Sequence, residues 1–199
     1  MSGVSIRDGA TGQAATVDSA HRLKTQSHME TLLERATRAG EVWSIEDGAE
    51  TLSAATICLI HIKNTHATKV LVVESIRVQT IDASGGTAQP AAATYFRLAV
   101  GRTYGSGGAG SPEVNRRYGA NNAVPFTAYN NNPTLSGTAV EFDRWHPNGD
   151  ANYFEWLPKG ALVIQPAGTL EVDIVTDHTG GSALATMVVR ASDPAELDA

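Results

Sequence analysis

The chain has little cysteine, little charge and no long apolar run. Cys58 is the only cysteine among 199 residues, so no disulfide can form within the chain. Its place in the apolar stretch 57–62 predicts a buried, unreactive thiol. No stretch approaches the roughly 18 apolar residues of a transmembrane helix, and the first residues lack the apolar core of a secretory signal. We therefore expect a protein made in a reducing cytoplasm, without a membrane partner.

The small and negative charge of the chain argues against one class of function, the binding of nucleic acid. Only 18% of the residues are charged, and the formal net charge at pH 7 is −6. A surface of this sign repels phosphate backbones, which argues against nucleic acid as a partner. Hydrophobic residues make up 42% of the chain, which is enough for a folded core.

The sequence is rich in short segments that alternate apolar and polar residues from residue 41 onward. This period of two predicts about eight to ten strands separated by turn-forming residues. The clearest segments are 41–45, 56–62, 70–81, 95–100, 139–142, 153–157, 162–165, 170–174 and 185–190. Such spacing indicates an all-β fold, a β-sandwich or jelly roll.

The N-terminal region differs from this body. Residues 1–26 contain too few large apolar side chains to fill a core, so we expect an extended arm. Residues 28–39 carry apolar residues at helical spacing, with a capping box at Ser27 and Glu30 and Gly40 at the end. The predicted organisation is an arm with a short helix (1–40), a β-sandwich body (41–192) and an acidic tail (193–199).

Residues 101–138 interrupt the strand pattern with Gly, Asn, Tyr and Arg. This composition is typical of adaptable contact surfaces, so we interpret the segment as loops that contact another subunit or a partner. The alternative is two ordinary hairpin loops around a strand at 124–129. Trp145 is a further contact candidate because it lies in a polar stretch, although core packing is the alternative. The candidate contact residues are Arg102, Tyr104, Arg116, Arg117, Tyr118, Tyr129 and Trp145.

Residue patterns for catalysis or metal binding are missing from the sequence. The six histidines show no His-x-His or His-Glu-x-x-His spacing. The carboxylate pairs Glu141/Asp143 and Glu171/Asp173 have strand spacing, and we expect them on solvated strand faces. The sequence therefore predicts no enzymatic activity, no metal and no cofactor.

Several short motifs carry a family resemblance. The head of the chain resembles the start of a family of tailed-bacteriophage structural proteins, and 62–65 is similar to that family's "Val-Lys-Asn-Thr" strand end. That family opens with a short strand, an "Ala-x-Val" strand, an "Arg-Leu-x-Thr" strand and a short helix. The matching residues are Ile6-Arg7-Asp8-Gly9, Ala14-Ala15-Thr16-Val17-Asp18, Arg22-Leu23-Lys24-Thr25 and Ile62-Lys63-Asn64-Thr65.

The resemblance implies a non-enzymatic virion protein, in its sharpest form a capsid decoration (cement) protein. Such a protein, often a homotrimer, would bind the major capsid protein on the outer surface of the head. The arm would be the clamp, through Val4, Ile6, Arg7, Val17, Arg22 and Leu23. The alternatives are a tail, neck or fibre-attachment protein of the virion, or a carbohydrate-binding jelly-roll module that uses Trp145 and the 101–138 loops.

Overall fold

The structure is a computed structural model that describes residues 6–7, 14–17, 23–24, 31–81, 94–146, 153–158, 162–177 and 179–197. The chain divides into two compact units, Met1–Leu32 and Leu33–Ala199. The helix that was expected to follow the arm falls almost entirely in the second unit.

The N-terminal unit contains three short strands, β1 (Ile6–Arg7), β2 (Ala14–Val17) and β3 (Leu23–Lys24). They form an antiparallel sheet in the order β1-β2-β3. In its register Ile6 lies opposite Ala15 and Val17 opposite Leu23. The expected arm thus has strand pairing of its own. Two of its predicted contact residues, Val4 and Arg22, lie outside the described residues.

The body opens with α1 (Leu32–Ala39), the one α-helix among the residues that the structure describes. Ala36 is buried and Leu33 packs with it against Val42 and Val188. The helix ends as expected at Gly40, whose φ of 76° only glycine adopts readily. Gly40 N–H donates to Thr37 O, and Glu41 N–H donates to Ala36 O, which is the Schellman pattern. The predicted start at residue 28 lies outside the described residues.

The body is built from fifteen further strands and closes with a 3₁₀ helix at Pro194–Glu196. The strands are β4 (Val42–Glu46), β5 (Glu50–Thr51), β6 (Ala55–Asn64), β7 (Val70–Ile81), β8 (Tyr95–Val100), β9 (Thr103–Ser106), β10 (Ala109–Gly110), β11 (Glu113–Asn115), β12 (Phe126–Asn130), β13 (Thr134–Ser136), β14 (Val140–Trp145), β15 (Tyr153–Trp156), β16 (Val163–Ile164), β17 (Thr169–Thr176) and β18 (Ser182–Ser192).

Two antiparallel sheets form a sandwich with jelly-roll strand order. The six-stranded sheet runs β10-β12-β6-β17-β8-β14, and the seven-stranded sheet runs β11-β4-β18-β7-β15, with β16 beside β7 and β5 beside β18. Eight long strands form the framework: β4, β6, β7, β8, β14, β15, β17 and β18. Numbered one to eight in chain order, they fall in the orders 1-8-3-6 and 2-7-4-5, the arrangement of two interlocked Greek keys. The all-β sandwich predicted from the sequence is confirmed.

The core lies between the two sheets and is almost wholly aliphatic. Alternate residues of each strand point into it, so β17 contributes Leu170, Val172 and Ile174, all fully buried. The other sheet contributes residues such as Ile45, Ile76 and Met187 to the same cluster.

Residues 101–138 form an insertion between β8 and β14 that contains five of the strands, β9 to β13. Within it β11 pairs with β4, while β12 pairs with β6 and carries β10 on its other side. β4 and β6 are the framework strands on one side of the sandwich, one in each sheet, so the insertion extends both sheets on that side. The strand expected at 124–129 is present as β12. The rest of the segment contains four further short strands, and residues 116–125 form a loop between β11 and β12.

Candidate functional site

The outer face of the six-stranded sheet, opposite the core, carries an unexpected set of polar side chains. Glu171 and Asp173 alternate with the core residues of β17 and therefore point outward. His61 lies opposite Glu171, and Cys58 lies opposite Asp173. A register shift at Val172/Asp173 allows Cys58 and His61, three residues apart on β6, to share this face.

The insertion covers these side chains and buries them. Glu171, Asp173 and His61 are all fully buried. The prediction that Glu171 and Asp173 lie on a solvated strand face is therefore wrong. It fails because alternation tells which residues share a face, but not whether a later segment covers that face.

Two arginines neutralise the buried carboxylates. Arg102 Nε donates to Glu171 Oε2 at 2.7 Å, and Arg102 Nη2 donates to Asp173 Oδ2 at 2.8 Å. Arg97, on β8, donates to the same Asp173 oxygen through Nε at 3.0 Å and Nη2 at 2.8 Å. Arg102 belongs to the insertion and the two acids to β17, so this ion cluster joins the insertion to the sheet.

Burial shifts the proton affinity of the groups around the cluster. Desolvation, reinforced by the neighbouring Asp173 carboxylate, raises the pKa of the Cys58 thiol well above its usual value. The expectation of a buried thiol is confirmed, since Cys58 is 4% exposed. Desolvation also lowers the pKa of His61 and raises that of Asp173, although the arginines act on Asp173 in the opposite direction. The face therefore holds a neutral imidazole beside a balanced set of charges.

A pocket of about 290 Å³ opens next to the cluster, between β6, β12 and β9. Its floor is formed by residues that lie opposite each other on the paired strands β6 and β12. Tyr129 lies opposite His61, and Thr127 lies opposite Lys63. The Tyr104 ring stacks on the Tyr129 ring with centroids 3.6 Å apart and planes 3° from parallel. The lining residues are His61, Lys63, Thr65, Thr103, Tyr104, Thr127 and Tyr129.

A second cavity, of about 410 Å³, has no ionisable group in its lining. It lies where the end of β8 meets the turn between β16 and β17. Its walls are aliphatic side chains, small residues, Thr and one Gln, which offer neither acid–base groups nor metal ligands. The lining residues are Val100, Gly101, Thr103, Leu162, Val163, Ile164, Gln165, Ala167, Gly168, Thr169 and Leu170.

No family model, curated protein or solved structure matches this chain. Among the described residues, no group of three or more His, Cys, Asp or Glu side chains is arranged to hold a metal ion. No helix in that part of the chain is long and apolar enough to cross a membrane.

The structure brings together only some of the predicted contact residues. Arg102, Tyr104 and Tyr129 meet on the outer face of the six-stranded sheet. Arg116, Arg117 and Tyr118 follow β11, which belongs to the other sheet, and all three are exposed. Tyr118 is the most exposed large hydrophobic residue described, at 103%.

Trp145 lies on β14, away from the insertion and in a different environment from the one expected. Its ring stacks on Phe154 at 4.9 Å and on Phe96 at 6.1 Å, and it packs against the core. Trp145 therefore packs against the core, which was the alternative to an exposed contact site.

Lys63, His61 and Glu171 are site residues that the sequence reasoning missed. They alternate with core residues, so each looked like an ordinary outward-facing strand residue. One signal in the sequence could have indicated the site. His61 and Lys63 lie two positions apart on β6, and the 101–138 insertion is rich in aromatic residues. Their pairing depends on strand order, which local patterns do not give.

Proposed function

We propose that this protein is a non-enzymatic structural protein of a tailed-bacteriophage virion, a decoration protein that binds the outer surface of the capsid. The observation that carries the proposal is the division of the chain into a short N-terminal unit, Met1–Leu32, and a separate jelly-roll body. In this proposal the body folds around its own core, and the N-terminal unit binds the capsid.

The order of elements supports the same proposal. Three short strands at Ile6–Arg7, Ala14–Val17 and Leu23–Lys24 precede a short helix and an aromatic-containing strand. This is the order that the resemblance implies for the head of the chain. Short strands of this kind bind by adding to a partner's sheet, where main-chain hydrogen bonds supply affinity.

The surface after β11 fits a contact with the capsid or with a second subunit. Arg116, Arg117 and Tyr118 are exposed together, and Arg and Tyr are enriched in protein interfaces. We propose that this surface contributes to binding the major capsid protein or to self-association as a homotrimer. It follows β11, which pairs with β4 of the other sheet, and its three side chains are exposed, so they can be changed without disturbing the ion cluster.

Co-sedimentation with purified phage particles tests the proposal directly. Full-length protein is mixed with expanded heads lacking this protein, with tails of the same phage, or with buffer alone. We expect saturable sedimentation with heads, and none with tails. Binding to tails alone favours the tail, neck or fibre-attachment alternative, and binding to neither contradicts a virion role.

A further inference from the structure

The pocket beside the ion cluster contains a buried hydrogen-bond acceptor without a partner. His61 Nε2 lies 3.3 Å from the carbonyl oxygen of Arg102. Because a carbonyl only accepts, Nε2 carries the proton, and Nδ1 of the neutral ring is left with a lone pair. Nδ1 is buried and has no hydrogen-bond partner among the described residues, although His61 lines the pocket. His61 thus places a polar group with an unsatisfied acceptor directly behind the pocket wall.

A cation without a partner lies on the same pocket wall. Lys63 is half-buried and makes no ion pair or side-chain hydrogen bond within the part of the chain that the structure describes. By contrast, Lys69 is bound to Glu41, and Arg97 and Arg102 are bound to carboxylates. Lys63 is thus free to bind an anionic group.

The remaining walls are aromatic and hydroxylated. Tyr104 and Tyr129 form a stacked pair, held partly by Tyr104 OH, which donates to Gly107 O at 3.0 Å. Tyr104 is 37% exposed, so part of its ring remains open. Thr65 and Thr127 line the same space, and their side chains make no hydrogen bond within the described residues. An aromatic wall beside hydroxyls suits a ligand with an apolar ring face and many hydroxyl groups.

We propose that this pocket binds an acidic saccharide unit. In the proposed complex the sugar carboxylate pairs with Lys63, ring hydroxyls form hydrogen bonds with Thr65 and Thr127, and the C–H face of the ring packs on Tyr104. The volume of about 290 Å³ accommodates a single sugar ring but not a long chain within the pocket. The inference concerns the body alone and holds whether or not the protein binds a capsid.

The test compares uronic acids with their neutral counterparts in saturation-transfer NMR on the full chain. Galacturonic acid and galactose share a ring and differ in the carboxylate, as do glucuronic acid and glucose. We expect at least one uronic acid to bind saturably and about tenfold more tightly than its neutral counterpart, because a charge-assisted pair with Lys63 is added.

Variants of the protein locate the binding site and separate the contribution of the Lys63 charge from that of the Tyr104 ring. Lys63→Gln should weaken uronic acid binding about tenfold, to the level of the neutral sugar. Tyr104→Ala should weaken both sugars alike. Arg77→Gln removes an exposed positive charge from β7, in the other sheet and outside the pocket, and should leave binding unchanged. Thermal unfolding of each variant checks that it is folded.

Three results overturn the proposal. The first is that neither uronic acid binds the full-length protein. The second is that Lys63→Gln binds them as tightly as the unmodified chain does. The third is that inorganic phosphate displaces the uronic acid while the neutral sugar never binds, since this pattern describes a simple anion site.

Discussion

The Arg102 guanidinium binds the fully buried carboxylate of Glu171, with Nε 2.7 Å from Oε2. This contact joins a residue at the start of the insertion to the central strand of the six-stranded sheet, 69 positions away in sequence. Because the insertion also forms the pocket wall at Tyr104, the ion pair positions the pocket as well as the fold.

Removing Arg102 should therefore destabilise the protein strongly. Arg102→Ala leaves Glu171 without its cation and Asp173 with one arginine fewer, in a place that water does not reach. Breaking a buried pair in this way costs about 3 kcal/mol or more. The free energy of unfolding, measured by urea denaturation, checks the value.

The exposed pair Arg144–Glu141 provides the matched control. Arg144 is 47% exposed, so its removal should cost far less stability than the removal of Arg102. In addition, Glu171→Gln combined with Arg102→Ala should lose less than the sum of the two single changes. Equal losses for Arg102→Ala and Arg144→Ala would show that the buried cluster does not stabilise the fold.

Two glycines of the insertion, Gly108 and Gly119, both have positive φ but differ in the space around them. Gly108 has φ of 64°, and a Cβ there would lie 2.5 Å from Asn130 O. Gly119 has φ of 78°, but a Cβ there meets nothing within 4 Å. Gly119→Ala should cost about 1 kcal/mol from backbone strain alone.

Gly108→Ala should cost more, because the β9–β10 turn must also move away from β12. The difference in melting temperature between the two variants measures the stability lost through that extra displacement. Equal melting temperatures would mean that the turn is not packed against Asn130 as described.

Asp47 should make stability depend on pH. Asp47 is 7% exposed, and neither of its carboxylate oxygens has a hydrogen-bond partner among the described residues. Burial, with a smaller contribution from the charge of Glu50, raises its pKa from 3.8 to about 8. Between these values the folded state retains a proton that the unfolded state releases. Stability should therefore fall as pH rises through this interval, by up to about 1.4 kcal/mol per unit.

Asp47→Asn removes this contribution and should gain stability relative to the unmodified chain as pH rises from 5 toward 8. The comparison isolates Asp47 from His61, whose lowered pKa makes stability fall when pH drops below its ordinary value of 6.5. Urea denaturation at a series of pH values measures the difference. A difference that does not change with pH would show that Asp47 titrates normally.

The sequence predicted the framework of the fold well because its strands alternate clearly. β8 begins and ends where the pattern places it, at Tyr95 and Val100, and the helix ends at Gly40 as expected. The short strands of the insertion were missed, because Thr103–Ser106 and Ala109–Gly110 have no apolar alternation and pair through the backbone. The candidate site was predicted only in part. Tyr104 and Tyr129 were identified as contact residues, but their partners His61 and Lys63 depend on long-range strand order.

Tyr118 should matter for binding and not for stability. Its side chain is fully exposed, so Tyr118→Ala should change the free energy of unfolding by less than about 0.5 kcal/mol. If the surface after β11 binds a subunit or the capsid, the same change should lower the mass measured by light scattering or weaken head binding. Tyr153→Ala, at a 49% exposed tyrosine on β15, is the control and should do neither. A Tyr118→Ala protein with unchanged mass and head binding would remove this surface from the proposal.

We propose that the N-terminal unit clamps the jelly-roll body to a phage head. The most direct test of this proposal is co-sedimentation of expanded heads with full-length protein and with protein lacking residues 1–26, both shown to be folded by thermal unfolding. We expect the truncated protein to melt within a few degrees of the full-length chain and to fail to bind heads, because the contacts that the segment makes with the capsid supply the affinity. Truncated protein that decorates heads with undiminished affinity would contradict the clamp.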